Sequence, residues 1–302
     1  MKKNFFFLSF FLTVISLFSK EIVILHTNDI RNVLERREAT FINPEFPPVL
    51  GGIYSLSTAV KYERELANKK NQIFLLFDSG NFVYKSVDLD STDFTKPSLY
   101  FNYMGYDVVN IGVDEIIAGP KFLNEAFNLF NPKLISSNLK IVDSQIQPQK
   151  YVIIEKEGIR IGIFGLVSEY ATLNMDEEVA KYYIIEKEIE KAKEVVDILK
   201  KNRCSIIIGL TSVGLEHDRI IAENVQGIDI MLGGFDGIGL RNAIETPLNH
   251  TIIMKGYGEL SSFDKLTLFV DDFGRIINYE SEVVTLFEER YPSDLELEKI
   301  LK

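Results

Sequence analysis

The sequence predicts an α/β fold, on three observations. Short continuous apolar runs recur at 22–25, 73–77, 108–111, 160–166 and 206–210, the pattern of strands buried on both faces. Between them lie segments whose apolar residues repeat at helical spacing. Neither an internal repeat nor a low-complexity linker interrupts the 302 residues. Strands alternating with helices over such a length read as one α/β domain.

Each element has its own signal. The first run, Ile22-Val23-Ile24-Leu25, ends in a polar loop. A helix is expected over 53–66, with Leu56, Ala59, Val60 and Leu66 on its apolar side, and another over 189–199, with Ala192, Val195, Val196 and Leu199. Pro120 suits the first turn of a helix over 121–129, where its missing N–H costs nothing. Residues 263–270 alternate, Asp271-Asp272-Phe273-Gly274 turns, and 276–284 returns as a hairpin. Ser293 or Asp294 is suited to cap a closing helix over 293–302.

Composition excludes some partners. Hydrophobic residues at 46% and charged ones at 25% are those of an ordinary globular protein. A net charge of −11 argues against nucleic acid, and against electrostatic binding to anionic lipid. The absence of Trp beside many Phe, Tyr, Ile, Asn and Lys reads as genome bias. Lys2 and Lys3 precede an apolar run over 5–18, and Leu17-Phe18-Ser19 suits cleavage, so 1–19 reads as an export signal. The run is shorter than the roughly 20 residues of a spanning helix; an uncleaved anchor is the alternative. The expected mature protein begins near Lys20, in the periplasm or cell envelope. Cys204 has no partner for an internal disulfide and reads as a buried small hydrophobe.

The loops carry the chemistry. Ile24-Leu25-His26-Thr27-Asn28-Asp29-Ile30-Arg31 is followed by Gly51-Gly52-Ile53 and by Asp78-Ser79-Gly80-Asn81. Then come Gly105-Tyr106-Asp107 through Gly112-Val113-Asp114-Glu115, and Ser136-Ser137-Asn138-Leu139. Leu210-Thr211-Ser212-Val213-Gly214, Gly227-Ile228-Asp229 through Gly233-Gly234-Phe235-Asp236-Gly237, and Gly256-Tyr257-Gly258 complete the series. In order and spacing this set resembles the 5'-nucleotidase branch of the calcineurin-like metallophosphatase superfamily, over roughly residues 21–285. The resemblance implies a four-layer α-β-β-α sandwich over 20–286, then a C-terminal helical segment over 287–302. It also implies two cations about 3.5–4 Å apart, clamping a phosphate and generating hydroxide.

The departures are as informative as the matches. Of the seven side chains that bind metal in that family, only Asp29 is unchanged here. Arg31 replaces His, Asn81 replaces the bridging Asp, Val113 replaces Asn, and Ser212, Phe235 and Gly237 replace His. Asp114 stands where the family has the His that stabilises the transition state, beside Glu115. Val113 and Phe235 have no donor atom, and a neutral amide at 81 cannot supply the bridging charge. No cofactor is expected, or at most a single divalent metal. Because the chain stops at Lys302, the family's nucleobase-binding C-terminal domain is also expected to be absent.

Asp29, Asp78, Asn81, Asp114, Glu115 and Asp236 are expected to gather at the strand ends. Arg31 is expected to pair with Asp29 or Asp114 and supply the lost metal's charge; a single oxygen-ligated metal and a solvent-facing Arg31 are the alternatives. Asp78 and Asn138 read as structural, and His26 as a residue holding loop backbone. His217 reads as an exposed residue at a helix start more readily than as a general base, and His250 as the start of a strand. Tyr84, Tyr100, Phe101, Tyr103 and Tyr106 read as helix core more readily than as a ligand platform. The sequence therefore predicts an exported pseudo-enzyme, a binding or scaffold module with an unknown protein partner. The alternative is a residual or rewired metal-dependent phosphoesterase or 5'-nucleotidase using Asp29, Asn81, Asp114 and Asp236.

Overall fold

A computed structural model describes residues 19–84, 91–173 and 175–302, with side chains from 95 in the second stretch. The expected export signal lies outside these residues, apart from Ser19. Two six-stranded sheets form the centre of the molecule. The first runs Ile276–Thr285, Ser262–Val270, Lys20–Thr27, Ile73–Asp78, Val108–Asn110, Lys133–Ile135. The second runs Ile244–Glu245, Ile252–Met254, Ile230–Gly233, Ile206–Ser212, Ile159–Val167, Tyr151–Lys156.

In the first sheet the four strands from Lys20–Thr27 to Lys133–Ile135 are parallel and the two of the C-terminal hairpin antiparallel; in the second, four central strands are parallel and both edges antiparallel. Buried side chains fall into three layers. Ile22, Ile24, Leu75, Phe77, Ile163, Ile208 and Leu232 meet between the sheets. Val23, Leu25, Leu76 and Val109 face a helical layer including Gly52–Lys69 and Pro120–Leu129. Phe164, Leu166, Ile207 and Met231 face the helices Glu188–Lys201 and Leu215–Asn224. Helix, sheet, sheet and helix make the expected four-layer sandwich. Continuous apolar runs follow from it, since each central strand is covered on both faces.

The closing helix is Leu295–Leu301, capped by Asp294, which accepts from the N–H groups of Glu296 and Leu297 and also from Ser57 Oγ at 2.6 Å. The helix that carries Tyr100, Phe101 and Tyr103, read as helix core, is Ser91–Met104, which begins in a polar stretch and contains Pro97. Its Tyr100 and Phe101 are fully buried, and Phe101 packs edge-on to Phe82 at 5.2 Å and to Tyr106 at 4.6 Å. Tyr84, by contrast, is exposed. Cys204 corrects the expectation of a buried hydrophobe: it is half-buried, two residues ahead of its strand. His250 likewise precedes its strand, exposed and paired with Glu245. Among the described residues, no helix is long and apolar enough to cross a membrane.

Candidate functional site

Loops leaving the C-terminal ends of the parallel strands converge between the two sheets, where such folds place ligands. The 27–32 and 79–82 loops run side by side. Asp29 N donates to Gly80 O, Arg31 N to Asn81 O and Asn32 N to Phe82 O, all within 3.0 Å. Gly80 has φ +94°, and a Cβ there would sit 2.6 Å from Gly112 N. The absence of a side chain is what lets the third loop close onto the second. Four site residues occupy positive φ: Asp29 at 52°, Arg31 at 49°, Asn81 at 58° and Phe235 at 94°. For a bulky residue such as Phe235 this is strained, and such strain clusters at ligand sites.

Asp29 is the centre of the constellation and is 1% exposed. Its Oδ1 accepts from Asn81 Nδ2 at 2.7 Å, and its Oδ2 from Asn28 Nδ2 at 2.7 Å. Phe235 N–H lies 3.1 and 2.9 Å from the two oxygens. Arg31 Nη2 adds a long contact to Oδ1 at 3.5 Å and donates to Phe235 O at 3.3 Å. Arg31 Nε lies 3.3 Å from Asp114 Oδ2, a contact between charges without a directed hydrogen bond. The guanidinium thus spans Asp29 and Asp114 together. Asn81 Oδ1 accepts from Asp114 N at 2.9 Å, so the amide that replaces the bridging carboxylate is used at both ends.

The remaining positions divide into those the fold brings to Asp29 and those it does not. Val113 N donates to Ser212 Oγ at 3.4 Å, placing both beside the cluster. Glu115 lies beneath it and accepts from the N–H groups of Asn81, Gly112 and Val83. Burial, with the neighbouring Asp114 charge, pushes Glu115 up to about 8 against those three donors. Asp78 accepts from Thr27 Oγ1 at 2.6 Å and Gly80 N at 2.8 Å, and burial raises it well above the usual carboxylate range. His26 bridges Asp264 at 2.7 Å and Ser79 at 2.8 Å, and Ser79 reaches Leu232 O in the other sheet. Asn138 stitches together the backbones of Val167 and Glu186.

One expectation is corrected, that of His217 as an exposed residue. Asp236 follows the strand Ile230–Gly233 at the strand ends, and its carboxylate has partners of its own. It accepts from Leu215 N at 2.7 Å and Ile238 N at 3.0 Å, and forms an ion pair with Lys255. Burial pushes Asp236 up, but Lys255 and the two amides outweigh it and hold it below the usual range. His217 is half-buried, its Nδ1 2.8 Å from Glu188 Oε2 and its ring edge-on to Tyr170. The sequence reading missed Lys255, which is fully buried and also donates to Gly234 O at 2.9 Å. It also missed Asp218, buried beside Thr211 and raised to about 7 by burial, against the pull of Thr211 and Lys255. A lysine at a strand end carries no periodic signal, and its partner Asp236 lies 19 residues away in sequence.

The donor set does not fit a two-metal centre. Among the described residues, no group of three or more His, Cys, Asp or Glu side chains is arranged to hold a metal ion. Gly237 has open space where a side chain would be.

No family profile matches the chain. The 5'-nucleotidase of Bos taurus is 27% identical over 234 residues, covering 71% of this chain. That of Mus musculus is 28% identical over 226 residues, with the same coverage. The chain spans 38% and 37% of those relatives' lengths. A 5'-nucleotidase precursor from Thermus thermophilus superposes with TM-score 0.80 at 18% identity, over 93% of this chain and 57% of that one. The calcineurin-like phosphoesterase YfkN of Bacillus subtilis superposes with TM-score 0.74 at 16% identity, over 94% and 96%.

The chain has the calcineurin-like metallophosphatase fold and is similar in sequence to 5'-nucleotidases. The strand-end loops that carry Asp29, Asn81, Val113, Ser212 and Phe235 meet around Asp29 through hydrogen bonds among themselves.

Proposed function

We propose that this metallophosphatase-fold protein has lost two-metal phosphoester hydrolysis and serves as a binding or scaffold module in the periplasm or cell envelope. The observation that carries this reading is the saturation of Asp29. Its two oxygens already accept from Asn28, Asn81 and Phe235, and Arg31 supplies a cation from the chain itself. A metal entering there would have to displace several of these contacts and the guanidinium at once. It would gain only neutral or apolar neighbours at 113, 212 and 235. Lys2 and Lys3 ahead of the apolar 5–18 run support export.

Were activity retained, its class would be that of a metal-dependent phosphoric ester hydrolase. The test is a turnover assay on a phosphomonoester panel with Zn²⁺, Mn²⁺ or Mg²⁺, comparing the wild type with Asp29→Ala. The reading expects both proteins at background. Metal-dependent turnover abolished by Asp29→Ala would overturn it.

A further inference from the structure

Beside the old cleft, at the joint between the two sheets, lies a groove of about 490 Å³ that the Asp29 cluster does not use. Five separate stretches of chain form it: the 41–42 turn, Leu50, Arg241, the 257–262 segment, and Val283 with Thr285 at the end of the hairpin. Its size lies within the usual range for small-molecule sites, roughly 300–1,000 Å³. Its walls carry apolar groups unusually open to water. Phe41 is 70% exposed, Ile42 47% and Tyr257 41%. Surface aromatics gathered round a concavity mark ligand or partner sites more than isolated ones do.

Charge selects the ligand. Arg241 is the only charged residue lining the groove, and among the described residues it makes no hydrogen bond or ion pair. The neighbouring Arg37 is already engaged, by Glu259 at 3.4 Å and Ser261 Oγ at 2.9 Å. In a chain of net charge −11, an unpaired guanidinium against aromatic and aliphatic walls is complementary to an anion with an apolar body.

We propose that this groove binds a small amphipathic carboxylate, its body against Phe41, Ile42, Tyr257 and Val283 and its charge on Arg241. The site is separate from the metal cleft and stands whether or not that cleft is active.

The test is a two-dimensional NMR titration of the full domain with 4-phenylbutyrate and with its neutral amide. Saturable shifts confined to residues 41–42, 241, 257–262 and 283–285 are expected, with the acid binding more tightly than the amide. Arg241→Gln, on an exposed side chain, should weaken the acid roughly five-fold and leave the amide unchanged. Phe41→Ser should weaken both. Absence of saturable shifts with either probe, or equal affinity for acid and amide, would overturn the proposal. So would a concentration-dependent dimer that Phe41→Ser dissolves without any carboxylate binding, which would assign the groove to a second copy of the chain.

Discussion

Lys255→Met tests how the cleft is held together. The ammonium is fully buried and has two partners, the Asp236 carboxylate and Gly234 O at 2.9 Å. Methionine preserves most of the volume, so the cost is mainly polar. Gly234 O would lose its buried donor, worth about 1–3 kcal/mol. Breaking a buried ion pair by removing one partner costs about 3–5 kcal/mol, but Asp236 is a quarter exposed and keeps two amide donors. Water and those amides offset part of the loss. A net destabilisation of about 2–4 kcal/mol follows, or a fall in Tm of roughly 5–15 °C for a domain of this size. Urea unfolding of the wild type, Lys255→Met, Asp236→Asn and the double variant forms a cycle. The double variant should cost clearly less than the sum of the singles. A Lys255→Met protein within about 0.5 kcal/mol of wild type, or strict additivity across the cycle, would refute the reasoning.

Three further outcomes follow from the same geometry. Asp218 is fully buried and raised to about 7 by burial, so the folded state keeps a proton that the unfolded chain releases near pH 4. Its contribution to stability is full at low pH and is lost as pH rises from about 4 to 7. Asp218→Asn should therefore stabilise the protein at pH 8 by at most about 4 kcal/mol, at about 1.4 kcal/mol per pH unit. That advantage should vanish near pH 4, as urea midpoints at the two pH values would show. Above about pH 8, where Glu115 is ionised, Glu115→Gln should destabilise by about 2–4 kcal/mol, because an amide NH₂ would meet one of the three backbone N–H groups that the carboxylate accepts; the cost should shrink at pH 6, where the acid already carries a proton, and chemical unfolding at the two pH values checks it. Arg31→Met should cost only about 1–2 kcal/mol, since the guanidinium is 29% exposed and Asp29 keeps its other donors. That difference in unfolding free energy should shrink in high salt.

Much of the fold was legible because its central strands are buried on both faces. The 22–25 and 206–210 runs became Lys20–Thr27 and Ile206–Ser212, lengthened by polar residues, of which His26, Thr27, Thr211 and Ser212 lie at the site end. Edge and short strands were not legible: Tyr151–Lys156 is half-buried, and Ile252–Met254 is three residues long. For the helix Ser91–Met104 only the aromatic side that packs on Phe82 was legible, and its bounds were not, because Pro97 and a polar first half give no periodic signal. In the site, the pairing of Arg31 with Asp29 and Asp114 was readable from residue types, since a cation stands among carboxylates in one set of loops. That of Lys255 was not, because its partner Asp236 is 19 residues away and the two meet only through strand pairing.

If the loops still hold the old cradle, restoring ligands should restore metal. Phe235→His with Ser212→His is expected to raise Zn²⁺ or Mn²⁺ affinity measurably in calorimetry, since the backbone at 235 already has its unusual geometry. Unchanged affinity would show a collapsed pocket.

The most direct measurement is the metal content of the purified wild-type domain after incubation with Zn²⁺, Mn²⁺ and Mg²⁺ and removal of free ions. The account expects far less than one metal per chain, with no change on Asp29→Ala. One tightly held metal per chain, lost on Asp29→Ala, would contradict it and show a site rebuilt around Asp29.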